Sequence, residues 1–336
     1  MKTGFALIGA GIFGERHAQA FSRHPAVDFV SVCDLNAARA EEIAGRYGAR
    51  RHTTDFREVL ADPEVTAVSI ATPDHLHREV AVAAAQAGKH LLVEKPLATT
   101  VEDAEAIVAA ARQGGVKLVV DFHNRVNPPM VNARDAIRRG EIGKPVYFYT
   151  RLSNTAQVAT QMLKWASHSS ALWFLASHMV DVVRWMLGDE VRRVTAIRRD
   201  GILKEMGIDT ADFHLVTLEF KNGAVAVFEH AWILPTSHPT LKDLKMEILG
   251  SKGAIYIDGS HNRALEVYGQ RASFPDLLAP PTGTHLTGFV LDSIACFIDT
   301  ITEDAPPLAT GEEGLEVTRL LCAIERAAEL GLPLEL

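Results

Sequence analysis

Cysteine is scarce in this chain of 336 residues: Cys33, Cys296 and Cys322 are the only three. None stands in a CxxC spacing, which excludes a cysteine zinc site and a disulfide framework and fits a reducing, intracellular setting. No stretch reaches the ~18 to 20 consecutive apolar residues that a membrane span needs. Positive charge is outnumbered, with 34 Lys and Arg against 42 Asp and Glu, and the net charge of −8 argues against a nucleic-acid partner. There is no internal repeat and no low-complexity tract. The apolar stretch Gly4 to Phe13 is broken by glycine and runs into Glu15-Arg16 without a small-residue cleavage site, so a signal peptide is not expected. A soluble, cytoplasmic protein is the expectation.

What is present is an ordinary globular composition, 47% hydrophobic and 23% charged, in a length that suggests two domains at roughly 150 residues each. From residue 4 to about 140, short β-branched runs alternate with segments of helical period. Strands are expected at Phe5–Ile8, Phe29–Cys33, Val65–Ile70, His90–Val93 and Lys117–Asp121. Helices are expected at Phe13–Arg23, Ala37–Tyr47, His75–Ala87 and Val101–Gln113. This alternation predicts an α/β domain with a doubly wound parallel sheet.

After Gly143-Lys144-Pro145 the pattern changes to strands of period two at Val146–Arg151, Arg193–Ile197, Thr210–Phe220, Ala224–Ala231, Leu244–Leu249, Ala254–Ile257 and Leu265–Tyr268. Lys221-Asn222-Gly223 reads as a hairpin turn, and Asp276–Thr284 as a surface loop. Helices are expected at Ser170–Leu187, Thr287–Thr302 and Glu312–Leu330. The second domain is therefore α+β, with a large, mostly antiparallel sheet. The division is expected between residues 122 and 145, giving domains 1–122 and 123–336, with the closing helices free to pack back on the first domain.

Gly9-Ala10-Gly11-Ile12-Phe13-Gly14 lies between the first strand and the first helix, and Asp34 follows 20 residues after Gly14, at the end of the second strand. This spacing suits a dinucleotide. Two glycines allow a tight turn and a close backbone approach to the pyrophosphate, the third allows helix packing, and the helix N-terminus supplies N–H groups. An acid at position 34 accepts hydrogen bonds from ribose hydroxyls and repels a 2′-phosphate, so NAD is expected. Arg39 nearby keeps NADP open as the alternative.

Glu94-Lys95-Pro96 follows the strand His90–Val93, where a doubly wound sheet presents its binding crevice. A lysine at a strand end is ordinarily a solvated charge, but Pro96 constrains the backbone behind this one. With the glycine loop, Asp34, Ala71-Thr72-Pro73-Asp74-His75-Leu76-His77, Ala87-Gly88-Lys89-His90 and Glu94-Lys95-Pro96, almost the whole chain resembles the Gfo/Idh/MocA oxidoreductase family. The resemblance implies a Rossmann domain followed by an open-sheet domain. It places the cofactor against Gly9, Gly11, Ile12, Phe13, Gly14, Asp34, Thr72, Pro73, His77, Glu94 and Lys95. It implies that Lys95 sits beside the nicotinamide and the substrate hydroxyl, before a commonly cis bond to Pro96. His75 and His77 stand in an HxH spacing, but their place at a helix start favours the family reading, and no metal is expected.

On the helix Ser170–Leu187, Leu172, Leu175, Met179, Val182, Val183 and Met186 fall on one face at helical period. Phe174, His178, Asp181 and Trp185 gather on another. The resemblance makes His178 the acid/base and Asp181 the third member of a D-x-x-x-H-x-x-D motif. Phe174 stands where the first aspartate is common, which leaves an inositol-type polyol less secure as substrate. An i, i+3 pair with Arg184 would satisfy Asp181 on the helix surface. His123, Arg125, Asn127, Trp165 and His168 are candidate substrate residues, whereas Glu229-His230 reads as structural.

The expected reaction is reversible oxidation of a secondary alcohol on a sugar, sugar derivative or cyclitol. His178 takes the hydroxyl proton as hydride leaves carbon, and the Lys95 ammonium stabilises the developing alkoxide. A redox-neutral enzyme of the NAD-dependent glycosidase kind and a non-catalytic NAD-binding sensor are the competing readings. The resemblance also implies a homodimer or homotetramer formed through the second sheet.

Overall fold

A computed structural model describes residues 2–260, 267–268, 272–273, 281–282 and 285–336. The chain divides into two compact units, Met1–His123 with Pro281–Thr318 and Asn124–Pro280 with Arg319–Leu336. Among the described residues no helix is long and apolar enough to cross a membrane.

The first unit is built on six parallel strands: β1 (Thr3–Ile8), β2 (Val27–Cys33), β3 (Arg51–Thr53), β4 (Ala67–Ile70), β5 (His90–Val93) and β6 (Leu118–Val120). Their spatial order is β3-β2-β1-β4-β5-β6, so chain order reverses between β1 and β4. Five helices connect them: α1 (Ile12–Arg23), α2 (Ala37–Tyr47), α3 (Phe56–Ala61), α4 (His77–Gln86) and α5 (Val101–Gly114). The expected doubly wound sheet is present. Gly4 to Ile8 are all buried, as a strand covered on both faces requires. Phe5 packs against Phe21 of α1 at 5.3 Å and against Phe297 at 5.9 Å, and Phe21 meets Phe29 of β2 at 5.5 Å. Each such buried ring stabilises the unit by about 1.5 to 3 kcal/mol.

Two elements here were not expected. The exposed edge strand β3 reads Arg-His-Thr and carries no hydrophobic pattern, and α3 is a six-residue helix capped by Asp55. Both owe their position to neighbours more than to periodicity.

The second unit begins with α6 (Pro128–Arg138), started by two prolines whose missing N–H groups cost nothing at that end. Its sheet comprises β7 (Pro145–Asn154), β8 (Val191–Arg199), β9 (Phe213–Phe220), β10 (Val225–Ala231), β11 (Lys242–Gly250) and β12 (Ala254–Asp258). The order is β12-β11-β7-β10-β9-β8, closed by the short strand Leu334–Glu335. Only β7 and β10 run parallel; the other pairs are antiparallel. The expected hairpin joins β9 to β10, with Gly223 at φ +90°. Burial alternates strictly: His214, Val216, Leu218 and Phe220 are buried on β9 while Leu215 is exposed. One face of this sheet is thus core and the other open.

The helix expected from Ser170 begins instead with a widened π turn, Leu172–Ala176, before α7 (Ser177–Leu187). Of the expected strand Leu265–Tyr268, only Val267–Tyr268 falls among the described residues, as a short strand. The expected loop Asp276–Thr284 lies outside them except for Pro281–Thr282, also a short strand. A one-turn helix, α8 (Ile202–Glu205), precedes α9 (Phe289–Thr302) and α10 (Gly311–Leu330).

Candidate active site

Three glycines at the end of β1 do three different things. Gly9 has φ +96°, and a Cβ there would lie 2.6 Å from the carbonyl of Ala71 beyond β4, at the point of order reversal. A Cβ on Gly14 would sit 1.9 Å from the Gly9 carbonyl oxygen, so α1 packs against the turn only as glycine. Nothing lies within 4 Å of where a Gly11 Cβ would be. That open position caps α1 without any side-chain hydrogen bond, which leaves its first N–H groups directed at open space. Such a cradle fits a pyrophosphate.

Asp34, just past β2, holds this loop: Oδ2 accepts from the Ala10 N–H at 2.8 Å and Oδ1 from the Asn36 N–H at 2.9 Å. Arg39 is tied down. Its Nε donates to the Ala10 carbonyl at 2.8 Å, and its guanidinium pairs with Glu15 at 2.6 Å and Glu42 at 2.9 Å.

Thr72 and Pro73 follow β4 beside Gly9. His77, at the start of α4, is buried between backbone groups: Nδ1 donates to the Pro96 carbonyl at 2.9 Å, and Nε2 stands 3.1 Å from the Thr72 carbonyl. Burial draws its pKa down. The ring therefore links the Thr72 turn to the segment after Lys95. The Lys95–Pro96 bond is cis. Lys95 is 6% exposed, and burial pulls its ammonium below the ordinary lysine range against the opposing charges of Glu94, Asp74 and Asp121.

Behind Lys95 lies a group that sequence reading did not assign. His17 Nε2 donates to Glu94 Oε1 at 3.0 Å, and Nδ1 is 2.7 Å from the Ser69 hydroxyl. Asp121 Oδ2 is 3.8 Å from His17 Nε2. The ligand-type atoms of His17, Glu94 and Asp121 all lie within 4.8 Å of one another. Gly14, His17, Ala18 and Phe21 form the buried stripe of α1, so a histidine at apolar helical spacing was the available signal. His123 ends this unit's first segment, its ring 6.1 Å from Phe13 and 5.6 Å from Phe289.

In the second unit, Arg125 and Asp181 form a buried bidentate pair, Nε to Oδ2 at 3.0 Å and Nη2 to Oδ1 at 2.6 Å. Arg184, expected beside Asp181, pairs instead with Glu190. Asn127 donates to Asn124 Oδ1 at 3.0 Å. His178 is 7% exposed on α7. Phe174, inside the π turn, packs edge-on to Trp165 at 6.2 Å and against the buried Trp232 at 5.7 Å. His168 is exposed.

Residues 3–122 match the family model of an oxidoreductase family with an NAD-binding Rossmann fold, and residues 134–336 match the C-terminal α/β domain of the same family. The chain belongs to the Gfo/Idh/MocA family. It is 27% identical to the scyllo-inositol 2-dehydrogenase (NAD(+)) of Bacillus subtilis (strain 168) over 98% of this chain and 95% of that one. It is 30% identical to the levoglucosan dehydrogenase of Pseudarthrobacter phenanthrenivorans over 78% of this chain and 75% of that one. A solved structure of levoglucosan dehydrogenase in complex with NADH and L-sorbose matches with a TM-score of 0.84 at 26% identity, over 99% and 98% of the two chains. The chain is an NAD-dependent oxidoreductase.

In this Gfo/Idh/MocA chain the Arg125–Asp181 pair has a measurable structural worth. Arg125→Ala removes the bidentate cation from a carboxylate with no solvent access, and the expected loss of folding stability is about 3 to 5 kcal/mol. Denaturant unfolding should show it, and adding Asp181→Asn should recover most of the loss.

Proposed function

We propose that this Gfo/Idh/MocA enzyme is an NAD-dependent dehydrogenase of a secondary alcohol on a sugar, sugar derivative or cyclitol. The observation that carries the reading is Lys95: a buried ammonium at the carboxyl end of β5, in the same unit as the open glycine cradle. In an α/β sheet that end is where ligands bind.

The backbone of Gly9, Gly11, Ile12, Phe13 and Gly14 holds the pyrophosphate, and Asp34 holds the adenosine ribose. Thr72, Pro73 and Glu94 border the cofactor, with His77 fixing the two segments around it. When bound, NAD supplies the hydride acceptor at its nicotinamide ring. Arg39 is held by Glu15 and Glu42, which supports NAD over NADP because the guanidinium is not offered to a 2′-phosphate.

Lys95 donates to the substrate oxygen and stabilises the charge that develops on it, where low polarity strengthens the interaction. His178 accepts the hydroxyl proton, and Arg125 with Asp181 stiffens the helix that carries it. His123, Asn127, Trp165 and His168 complete the substrate residues in this reading. Phe174 offers a ring where a carboxylate would bind hydroxyls, which favours a substrate with an apolar face. The levoglucosan and scyllo-inositol dehydrogenases among the relatives support this range.

The open sheet face carries Tyr149 and Val227, with Tyr256 71% exposed, which supports a homodimer or homotetramer. A cytoplasmic home goes with it: Cys33 is a buried thiol, pushed up to about 12 by burial and then by Asp34, and so unreactive.

The test is NADH formation from NAD or NADP with inositols, anhydrosugars and aldoses. At least one should turn over, with kcat/KM for NAD about tenfold or more above NADP, a difference of about 1.4 kcal/mol. Tightly retained cofactor with no net NADH from any substrate would favour the redox-neutral alternative.

A further inference from the structure

The reaction described above uses Lys95 but leaves His17 and Asp121 without a task, and gives Glu94 none beyond bordering the cofactor. All three are buried in the first unit, and backbone pairing brings two of them side by side. Asp121 N–H donates to the Val93 carbonyl at 2.9 Å, so Asp121 leaves β6 beside the point where Glu94 and Lys95 leave β5. Glu94 is well supplied with donors: His17 at Oε1 and the Lys95 N–H at Oε2, 3.2 Å away. Asp121 is not. It is 1% exposed, and among the described residues neither of its oxygens has a hydrogen-bond partner. The Ser293 hydroxyl on α9 turns to the Val290 carbonyl at 3.0 Å instead.

Two carboxylates this close cannot both be ionised without compensation. At about 4 Å and an effective dielectric near 20 they repel by roughly 4 kcal/mol. The two split accordingly. Burial would raise Glu94, but the hydrogen bond and charge of His17, then the charges of Lys95 and His123, outweigh it and hold Glu94 at about 2. Burial and the Glu94 charge push Asp121 up to about 7. The groups facing Asp121 are His17 from α1, Glu94 and Lys95 from the end of β5, and Ser293 and Cys296 from α9. Asp74, before α4, acts on Lys95 with them.

We propose that Asp121 is a positioning residue of the reaction, whose buried carboxyl, coupled to Glu94 through His17, keeps Lys95 in its ammonium form. The inference rests on the reading of Lys95 as the group that holds the substrate oxygen. The device works by charge. Burial lowers the Lys95 pKa, and the negative charge of ionised Asp121 opposes that shift. An ionised Asp121 beside Lys95 thus postpones the loss of the ammonium. No proton has to reach solvent through the substrate, since the effect is one of field alone.

The test follows Lys95 directly. In protein labelled with 13Cε-lysine, the Lys95 resonance, assigned by its absence from Lys95→Met, is titrated in the wild type and in Asp121→Asn. The Lys95 pKa should fall by about 1 unit in Asp121→Asn, and the alkaline limb of the kcat/KM profile should move down with it. Asp121→Glu should restore both. An unchanged Lys95 titration overturns the proposal. A shifted resonance with an unmoved kinetic limb upholds the coupling and instead rejects Lys95 as the substrate-oxygen group. Should Asp121→Asn fold poorly, 13Cγ-aspartate labelling of the wild type gives the answer: Asp121 titrating near neutrality, with the Lys95 signal responding in step, supports the proposal. Asp121 ionised throughout overturns it. So does a stoichiometric divalent metal in the purified protein, because the three side chains would then be its ligands.

Discussion

Lys95→Ala is expected to lower kcat for the proposed alcohol oxidation by about 10³-fold, with the dissociation constant for NAD within about twofold of wild type. The size follows from what one preorganised donor at a developing oxyanion is worth, about 10² to 10³ in kcat, with the lost full charge setting the upper end. The selectivity follows from position. In the proposed reading the cofactor is held by the glycine turn and by the Asp34 carboxylate, at positions that do not involve the ammonium. The substitution also takes the Lys95 charge away from the buried Glu94 and Asp121, so Asp121 should keep its proton to higher pH in the variant. Lys95→Arg should rescue poorly, since a planar fork does not occupy the place of a point charge on a flexible stem. Stopped-flow measurement of NADH formation, with NAD binding followed by calorimetry, checks both halves. Turnover within tenfold of wild type would remove Lys95 from the mechanism.

His178→Gln is the second large effect. Glutamine keeps hydrogen-bonding capacity at that place on α7 but takes no proton at accessible pH. The expected loss in kcat is about 10² to 10⁴, the usual worth of a general base. The acidic limb of the kcat/KM profile should vanish with it, because that limb records protonation of the base. KM should change far less than kcat if the ring acts on the proton and not on binding. A profile that keeps its acidic limb would assign the base elsewhere. Running the two variants together is informative: groups acting in one step give a double variant far less impaired than the product of the single losses.

How much of this was legible before the fold was seen depends on how far apart the cooperating residues lie. The glycine loop was legible because its physics is local. Gly9, Gly11 and Gly14 span six residues, and Gly14 packs directly on the Gly9 carbonyl. The strands of the parallel sheet announced themselves as buried apolar runs, and those of the second sheet as alternation, for β9 and β10 down to the turn at Gly223. Where local pattern was weak, it misled or was silent. β3 has only Arg, His and Thr to show. The interruption of the expected helix by a π turn at Leu172–Ala176 leaves no mark in the periodicity of its apolar residues.

Ion pairing was the part least accessible to inspection of residues. Helical spacing pointed Asp181 to Arg184, three residues on, yet its partner is Arg125, 56 residues away. A pair excluded from water is governed by bidentate geometry and by the cost of stranding either charge; spacing along a helix matters only where solvent is the alternative partner.

The sequence alone was therefore enough to establish most of the strands and helices, the glycine turn between β1 and α1, and the family. All of these rest on contacts between residues close in the chain or on a repeated period. The company that Lys95 keeps was decided by the folded sheet. His17 reaches Glu94 across 77 residues, and Asp121 joins them only because β5 and β6 run side by side. Burial removes the water that would otherwise solvate each charge separately, and the pairing of those charges follows from the removal.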